Sequence, residues 1–307
     1  MTVSQRFETF LANIALTSEQ LAEGSKKHGG VLSTLNRNYY GYNSDTANGI
    51  VVGSWGKDTK VRPARDIDVL FILPYSKYLR FEKRLGNKQA QLLQEVKDVL
   101  QKTYSTTAMR ADGQLVVVSL GGHVVQIAPV FLLENTQYWI CDTNDGGKYR
   151  TLDPNAEIGA IQASDATTGG NTRNLIRMMK IWQRVCDVPI KPFVLELLVI
   201  EFLNSYAHKS HSSPHYDWMV RDFFAFLLTK NAISYVVVPG TGELIWLNSA
   251  DWNSRAETAH AQAEKACAYE SPNAPHSAGR EWHKIFGDDI PTDDVGGGTR
   301  NPDTNTP

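Results

Sequence analysis

The chain has 307 residues, of which 42% are hydrophobic and 21% charged, and its formal net charge is −2. This composition fits one large globular domain or two packed ones. A near-neutral charge argues against a long nucleic acid as the partner, because general nucleic-acid binders usually carry a basic excess.

The sequence also argues against membrane insertion and secretion. No apolar run approaches the ~20 residues that a membrane-spanning helix needs, so we expect no membrane partner. The N-terminal segment lacks the basic stretch, apolar core and small-residue cleavage site of a signal peptide. Cys141, Cys186 and Cys267 are scattered and odd in number. They disfavour a disulfide framework or a cysteine zinc site and predict a cytoplasmic location.

The first half of the chain has the pattern of a mixed α/β unit. The first 45 residues are predicted to be helical, with a capping box from Thr17 to Gln20 and glycines that weaken the second helix. Strand-like runs follow at 49–54 and 67–73, then a helix at 86–104. Two antiparallel strands, 114–120 and 123–131, are predicted to join around Gly121-Gly122.

After about residue 155 the pattern becomes helical. Helical periodicity covers 172–186, 191–206, 217–230 and 249–270, and one strand-like run interrupts it at 232–239. Asn248 or Ser249 is predicted to cap the last of these helices. We therefore expect a first domain at 1–155, a helical domain at 156–290, and a disordered polar tail at 291–307.

Two aspartates stand at the head of a buried strand. Residues i and i+2 of a strand point the same way, so Asp66 and Asp68 share a face, with Cα atoms roughly 6–7 Å apart. The intervening apolar side chains are expected to enter the core: Ile67, Val69, Phe71 and Leu73. Carboxylates this close repel each other, and a hard divalent cation such as Mg²⁺ relieves the repulsion.

A phosphate-binding element precedes the aspartates. Gly53-Ser54 ends a short strand, where the backbone can turn and present N–H groups beside a hydroxyl. Four cations are expected to add positive charge to the same loop: Lys57, Lys60, Arg62 and Arg65. Together these elements predict a site for a metal-chelated polyphosphate. Each alone also fits a simpler structure, either a solvated aspartate pair or an ordinary turn.

These residues resemble a known family. Gly53-Ser54 followed by Asp66-Ile67-Asp68 is similar to the signature of the polymerase-β-like nucleotidyltransferases. The longer segment LNRNYYG…VVGSWGKDTKVRPARDIDVLFILP resembles one branch of that superfamily, the bacterial cGAS/DncV-like nucleotidyltransferases or CD-NTases. VVQIAPVF, TLDPNAEI, LIRMMKIWQ and EWHKIFG continue the likeness. The resemblance implies an α+β fold, in which a mixed-sheet core with helices packs against a helical C-terminal domain, with the active site in the cleft.

The resemblance also implies the function and the site. A CD-NTase joins NTPs, ATP first among them, into a cyclic di- or trinucleotide that activates an effector protein in antiphage defence, and a regulatory protein partner is expected. Asp66 and Asp68 would hold Mg²⁺, with two ions in use and Mn²⁺ as a substitute. The phosphate contacts would come from Gly53, Ser54, Arg177 and Lys180.

One position departs from the family pattern. The third carboxylate of the family would stand at Gln126, and an amide there keeps an oxygen ligand but loses the charge. Three explanations are open: an engineered Glu→Gln trap, a natural enzyme that lost activity or tolerates Gln, or a different acid, Glu134 or Asp112, in this role.

Other residues are weaker candidates. His208, His211 and His215 have metal-like spacing but also fit a solvated loop. Glu196 and Glu201 are expected to be structural, and Pro192 stands where relatives carry a phosphate-contacting Ser. Four aromatic residues are candidates for base stacking: Tyr149, Trp182, Tyr235 and Trp246. Two rival functions are nucleotide addition to RNA or protein and nucleotide binding without catalysis.

Overall fold

The structure is a computed structural model that describes residues 1–230, 234–247, 251–270 and 274–292, apart from the side chain of Asp112. Its α-helices, in chain order, are α1 (Val3–Ile14), α2 (Ser18–Tyr40), α3 (Gly53–Gly56), α4 (Tyr75–Glu82), α5 (Lys88–Thr103), α6 (Pro154–Thr167), α7 (Asn171–Val185), α8 (Pro192–Ser205), α9 (Tyr216–Leu228), α10 (Asn253–Tyr269) and α11 (Pro275–Phe286). Its strands are β1 (Gly49–Val51), β2 (Asp66–Ile72), β3 (Met109–Asp112), β4 (Leu115–Leu120), β5 (His123–Leu132), β6 (Tyr138–Asp142), β7 (Lys148–Leu152), β8 (Tyr235–Val237) and β9 (Leu244–Trp246).

Seven strands form one mixed sheet. The order is β1-β2-β5-β4-β3, and β6 pairs with β5 while β7 pairs with β6. β2 and β5 are parallel, whereas the other pairs are antiparallel. A mixed sheet with helices confirms the predicted α+β fold class. The predicted hairpin at Gly121-Gly122 is the turn between β4 and β5.

Helices α2 and α5 cover one face of the sheet. The apolar side chains of β2 alternate as predicted, with one set buried in the core beneath these helices: Ile67, Val69, Phe71 and Leu73. The opposite face carries a smaller apolar cluster of Leu70, Ala128, Val130, Tyr138 and Ile140. Asp66 and Asp68 therefore emerge on the face that α2 and α5 leave uncovered.

Helix α2 begins at the predicted capping box and runs unbroken. Thr17 Oγ1 accepts a hydrogen bond from Gln20 N at 3.2 Å, and Thr17 N donates to Gln20 Oε1 at 3.0 Å. The glycines that are predicted to weaken its middle do not interrupt it, and Gly24 has a packing role, because a Cβ there would lie well under 3.0 Å from Cη2 of Trp55. Gly24 thus lets the Trp55 ring pack directly on the helix backbone.

The chain divides into two compact units. The sheet unit comprises residues 15–163 and 237–243, and the helical unit comprises the described residues of 1–14, 164–236 and 244–292. The division differs from the predicted boundary at residue 155, because α1 packs with the later helices and most of α6 belongs to the sheet unit. A residue from α1 explains this, since the buried Arg6 guanidinium binds Glu270 Oε1 at 2.9 Å.

Several elements were not expected from the sequence. β3, β6 and β7 lie in segments whose short polar-flanked runs carry weak periodicity. Trp252 precedes α10 without a side-chain cap, while the predicted caps Asn248 and Ser249 lie outside the described residues. Most of the predicted tail, residues 293–307, also lies outside them. None of the described helices is both long and apolar enough to cross a membrane.

We predict that Gly24→Ala destabilises the protein by about 1–3 kcal/mol, because the added methyl group overpacks against Trp55. Gly159→Ala is the matched control, since a Cβ on this α6 glycine meets open space. That change should leave stability unchanged or raise it by up to ~1 kcal/mol. Urea titration of both variants checks this, and equal effects would contradict the close packing at Gly24.

Candidate functional site

The strand register brings three predicted site residues together. Asp68 of β2 is the direct partner of Gln126 on β5, and Asp66 is the partner of Val124. Direct partners on neighbouring strands lie about 4.8 Å apart and point to the same face. Asp66 is exposed, and Asp68 and Gln126 are half-buried. Asp66, Asp68 and Gln126 therefore form one polar group at the uncovered face of the sheet.

Gly53 contacts this group directly. A Cβ on Gly53 would lie well under 3.0 Å from Oδ2 of Asp68, and its φ is +58°. Val52 N also donates to Asp68 O at 2.9 Å. Any side chain at residue 53 would clash with the carboxylate and strain the backbone. The Gly53-Ser54 turn, which opens α3, thus lies beside the Asp68 carboxylate.

The loop between the turn and β2 is less positive than expected. Lys57 is buried and pairs with Glu157 Oε2 at 3.0 Å, and Lys60 pairs with Asp58 at 2.6 Å. Arg62 donates to the Ala15 carbonyl at 2.7 Å. These contacts neutralise or anchor three of the four expected cations. The role of Glu157 as the partner of Lys57 was not predicted, because no charge pattern in the segment TLDPNAEI distinguishes it.

The register bears on the alternative acids. β5 continues from Gln126 to Leu132, roughly 20 Å along the strand, and Glu134 follows in the turn to β6. Glu134 therefore cannot reach Asp66 and Asp68, and its nomination as the third acid is wrong. Asp112 ends β3, three strands from β2, and its side chain lies outside the described residues. On β5, the side chain beside Asp68 is Gln126.

Lys180 and Arg177 lie on α7 of the helical unit. Lys180 Nζ pairs with Glu196 Oε1 at 2.7 Å, and the two side chains are only 11% and 5% exposed. Arg177 Nη1 contacts Asn174 Oδ1 at 3.4 Å. Glu196 is thus structural, as expected, and it holds the ammonium group of Lys180 in place. Glu201 is structural as well, pairing with Lys230 at 2.5 Å.

Pro192 is the first residue of α8, where it supplies no hydroxyl. Its position at the start of a helix is a common one for proline, because the ring's fixed φ suits the first turn. The phosphate contact that a Ser would make there is therefore lacking.

The histidine and aromatic candidates each contact other rings. The rings of His208, His211 and His215 contact one another in sequence at tilted angles, with centroids 4.7 and 4.9 Å apart. Trp182 is fully buried against Phe224, so it cannot stack on a nucleobase. Tyr149 stacks on Trp139, half-buried in the sheet unit. Tyr235 and Trp246 are both exposed and contact each other at 5.2 Å.

The donor set at the polar group suits a divalent metal. Two carboxylates and an amide oxygen are hard ligands of the kind that Mg²⁺ and Mn²⁺ take. Within the described residues, no three His, Cys, Asp or Glu side chains converge as a metal site. The group thus offers two negative charges and a neutral oxygen, which suits a metal that also has an anionic substrate as ligand.

We predict that Glu196→Ala lowers the free energy of unfolding by about 3–5 kcal/mol, because it removes the carboxylate of a buried ion pair with Lys180. Glu201→Ala, on the same helix, is the control. It removes a pair in which Glu201 is 45% exposed, so it should cost less than ~1 kcal/mol. Urea titration measures both, and similar losses would show that the Lys180 pair is not a buried one.

Comparisons with known proteins bear on the family of this chain. The profile of the SMODS domain, the Second Messenger Oligonucleotide or Dinucleotide Synthetase domain, matches residues 1–164. A Bacillus cereus (strain VD146) protein named as a probable cyclic nucleotide synthase is 22% identical over 275 residues, covering 78% of this chain and 81% of that protein.

Solved structures share the fold. The CdnC:HORMA-deltaN complex of Escherichia coli MS115-1 matches with a TM-score of 0.70 at 17% identity, over 94% of this chain and 98% of that chain. A mutant of the Vibrio cholerae di-nucleotide cyclase DncV matches with a TM-score of 0.67 at 16% identity, over 94% of this chain and 87% of that chain. CdnG of Bradyrhizobium diazoefficiens with GTP matches with a TM-score of 0.66 at 12% identity, over 93% of this chain and 95% of that chain. The chain belongs to the SMODS family and is a nucleotidyltransferase of the bacterial CD-NTase type, a cyclic nucleotide synthase.

Proposed function

We propose that this chain joins NTPs into a cyclic di- or trinucleotide second messenger by two-metal phosphoryl transfer. The observation that carries the proposal is the register of β2 and β5, which aligns Asp68 with Gln126 beside the Gly53-Ser54 turn. Carboxylates, a third oxygen ligand and a phosphate-binding turn are the parts that this chemistry needs.

The roles follow from the chemistry of each group. Asp66 and Asp68 would hold the metal, and the Gly53 N–H and Ser54 Oγ would bind the donor triphosphate. A bound Mg²⁺ would neutralise the triphosphate and lower the pKa of the acceptor hydroxyl. The acceptor ribose oxygen bonds to the donor α-phosphorus, pyrophosphate leaves, and the hydroxyl proton passes to water. Lys180, oriented by Glu196, and Arg177 are proposed to contact phosphates.

Gln126 is proposed to slow the reaction rather than to abolish binding. Asp66 and Asp68 keep their charges, so the triphosphate-side metal retains its ligands. The amide contributes an oxygen but no charge, which weakens the site for a second ion and the activation of the hydroxyl. This fits either an engineered trap or a natural enzyme of low activity.

The substrates and partners are proposed by analogy with relatives. CdnC has been solved with ATP and CdnG with GTP, so ATP and other NTPs are the first substrates to test. CdnC has also been solved with a HORMA partner, which supports a regulatory protein partner here. A cyclic product acting on an effector protein in antiphage defence, within the cytoplasm, completes the proposal.

A second candidate function is nucleotide binding without catalysis. The neutral side chain of Gln126 favours it, because a regulatory protein must bind the triphosphate but does not need a third carboxylate. Addition of nucleotides to RNA is less favoured, since the net charge of −2 suits a long polyanion poorly.

We predict that Gln126→Glu raises turnover of NTPs on the order of 10²-fold or more, because it restores a charge that activates the acceptor hydroxyl. NTP affinity should change little. Both proteins are incubated with all four NTPs and Mg²⁺ or Mn²⁺, and products are identified by mass spectrometry. Gln126→Asn is the control, since it keeps the amide.

The outcomes separate the candidates. A phosphatase-resistant cyclic product from Gln126→Glu supports the synthase. Tight NTP binding with no product from either protein supports the non-catalytic function and contradicts the synthase.

We also predict that Gly53→Ala weakens NTP binding at least ~10-fold, because the new methyl group displaces the Asp68 carboxylate. Gly113→Ala is the matched control, as this glycine also has a positive φ but a Cβ there meets open space. Calorimetric titration with a non-hydrolysable ATP analogue and Mg²⁺ measures both. Equal affinities for the two variants would argue against the Gly53-Asp68 contact as part of the site.

A further inference from the structure

Arg110 lies on the same face of the sheet as the polar group. Its neighbours on β3, Met109 and Ala111, pack against the core beneath α2 and α5. Successive residues of a strand point to opposite faces, so Arg110 points to the uncovered face. Its side chain is exposed there.

Arg110 is also in register with the polar group. It is the direct partner of Val117 on β4, Val117 is the partner of Gln126, and Gln126 is the partner of Asp68. Neighbouring strands lie about 4.8 Å apart, which puts the Cα of Arg110 roughly 10 Å from that of Gln126 and roughly 14 Å from that of Asp68. One row across the sheet therefore ends in a carboxylate on one side and a guanidinium on the other, with Gln126 between.

Arg110 presents an exposed side chain on this face. Its side chain makes no ion pair or hydrogen bond with any described residue. By contrast, Arg150, which lies on the same face farther along the sheet, is within 4.0 Å of Asp142 and Glu243. A carboxylate at residue 126 would attract the guanidinium of Arg110, but the amide of Gln126 does not. Arg110 is therefore an exposed guanidinium beside the proposed site.

The strand order suggests which phosphate it meets. In the proposed function the donor triphosphate lies at Gly53-Ser54, Asp66 and Asp68, on β1 and β2, and the acceptor hydroxyl lies at Gln126 on β5. β3 is on the opposite side of β5 from β2. An acceptor nucleotide whose ribose lies at Gln126, and whose 5′ end points away from the donor along this row, would place its phosphates toward β4 and β3.

We propose that Arg110 binds the 5′-triphosphate of the acceptor nucleotide and so selects NTPs over nucleosides as acceptors. This inference rests on the proposed function. A guanidinium suits the role because its planar fork of donors matches phosphate oxygens. A relative, Vibrio cholerae DncV, has been solved with a linear intermediate that carries a 5′-triphosphate, so a phosphorylated acceptor end does occur in this fold.

The test separates the acceptor from the donor. The donor is a 2′,3′-dideoxy-NTP, which has no hydroxyl to act as acceptor. The acceptor is either a nucleoside or its α,β-methylene triphosphate, neither of which can act as donor. Adenosine and guanosine forms of each are used with the full chain and Mn²⁺, and the linear dinucleotide is quantified by mass spectrometry. The readout is the ratio of kcat/KM for the triphosphate acceptor to that for the nucleoside acceptor.

Arg110→Gln should lower this ratio at least ~10-fold, because a charge-assisted hydrogen bond to phosphate is worth that factor or more. The rate with the nucleoside acceptor should stay within about threefold, since it makes no phosphate contact. Arg110→Lys should retain part of the ratio, as it keeps the charge but loses the fork. Lys83→Gln, an exposed cation at the end of α4, is the control and should leave the ratio unchanged.

The outcomes are distinct. If dinucleotide forms and Arg110→Gln leaves the ratio unchanged, the assignment of Arg110 is wrong and the proposed function stands. A general loss of rate with both acceptors would also contradict the assignment, because it would indicate a structural role. If neither the wild type nor Gln126→Glu forms any dinucleotide, the proposed function fails and the assignment of Arg110 fails with it.

Discussion

The close approach of Gly53 to the Asp68 carboxylate is the constraint on which the site depends. Two carboxylates at the head of a buried strand repel each other, and the fold keeps both by placing them on the face that α2 and α5 do not cover. The backbone turn after β1 lies against Asp68 because residue 53 has no side chain. The proposed phosphate-binding turn and the proposed metal-binding pair thus come from consecutive strands, and the contact between them leaves room for no other residue at position 53.

The loop beside this contact carries less unpaired positive charge than the sequence suggests. Lys57 and Lys60 make the loop look strongly positive in the sequence. In the structure, Glu157 pairs with Lys57 and Asp58 pairs with Lys60, which neutralises both charges. Within the helical unit, Lys180 is likewise paired, with Glu196. On the uncovered face, one row across the sheet has Asp68 at one end and Arg110 at the other, with neutral Gln126 between them. Asp66 lies two residues along β2 from Asp68. Such a surface suits a metal ion with an anionic substrate better than a metal ion alone.

Much of the fold followed from local patterns, and the site followed in part. The capping box at Thr17, the alternation along β2 and the hairpin before Gln126 are short-range features, so they were predictable. Three kinds of feature were not. Gly24 depends on Trp55, a contact between distant segments. The ion pair of Lys57 with Glu157 joins residues a hundred positions apart. The position of Arg110 in line with Gln126 and Asp68 follows only from the register of three strand pairs, which no local pattern determines.

The most direct measurement is a crystal structure of the full chain with a non-hydrolysable ATP analogue and Mn²⁺, in which anomalous scattering locates the ions. We expect one well-occupied ion bound by Asp66, Asp68 and the triphosphate, with the triphosphate against Gly53-Ser54. A second ion next to Gln126 should be weakly occupied, because the amide supplies no charge. Triphosphate density elsewhere on the chain, or no ion at Asp66 and Asp68, would contradict the account.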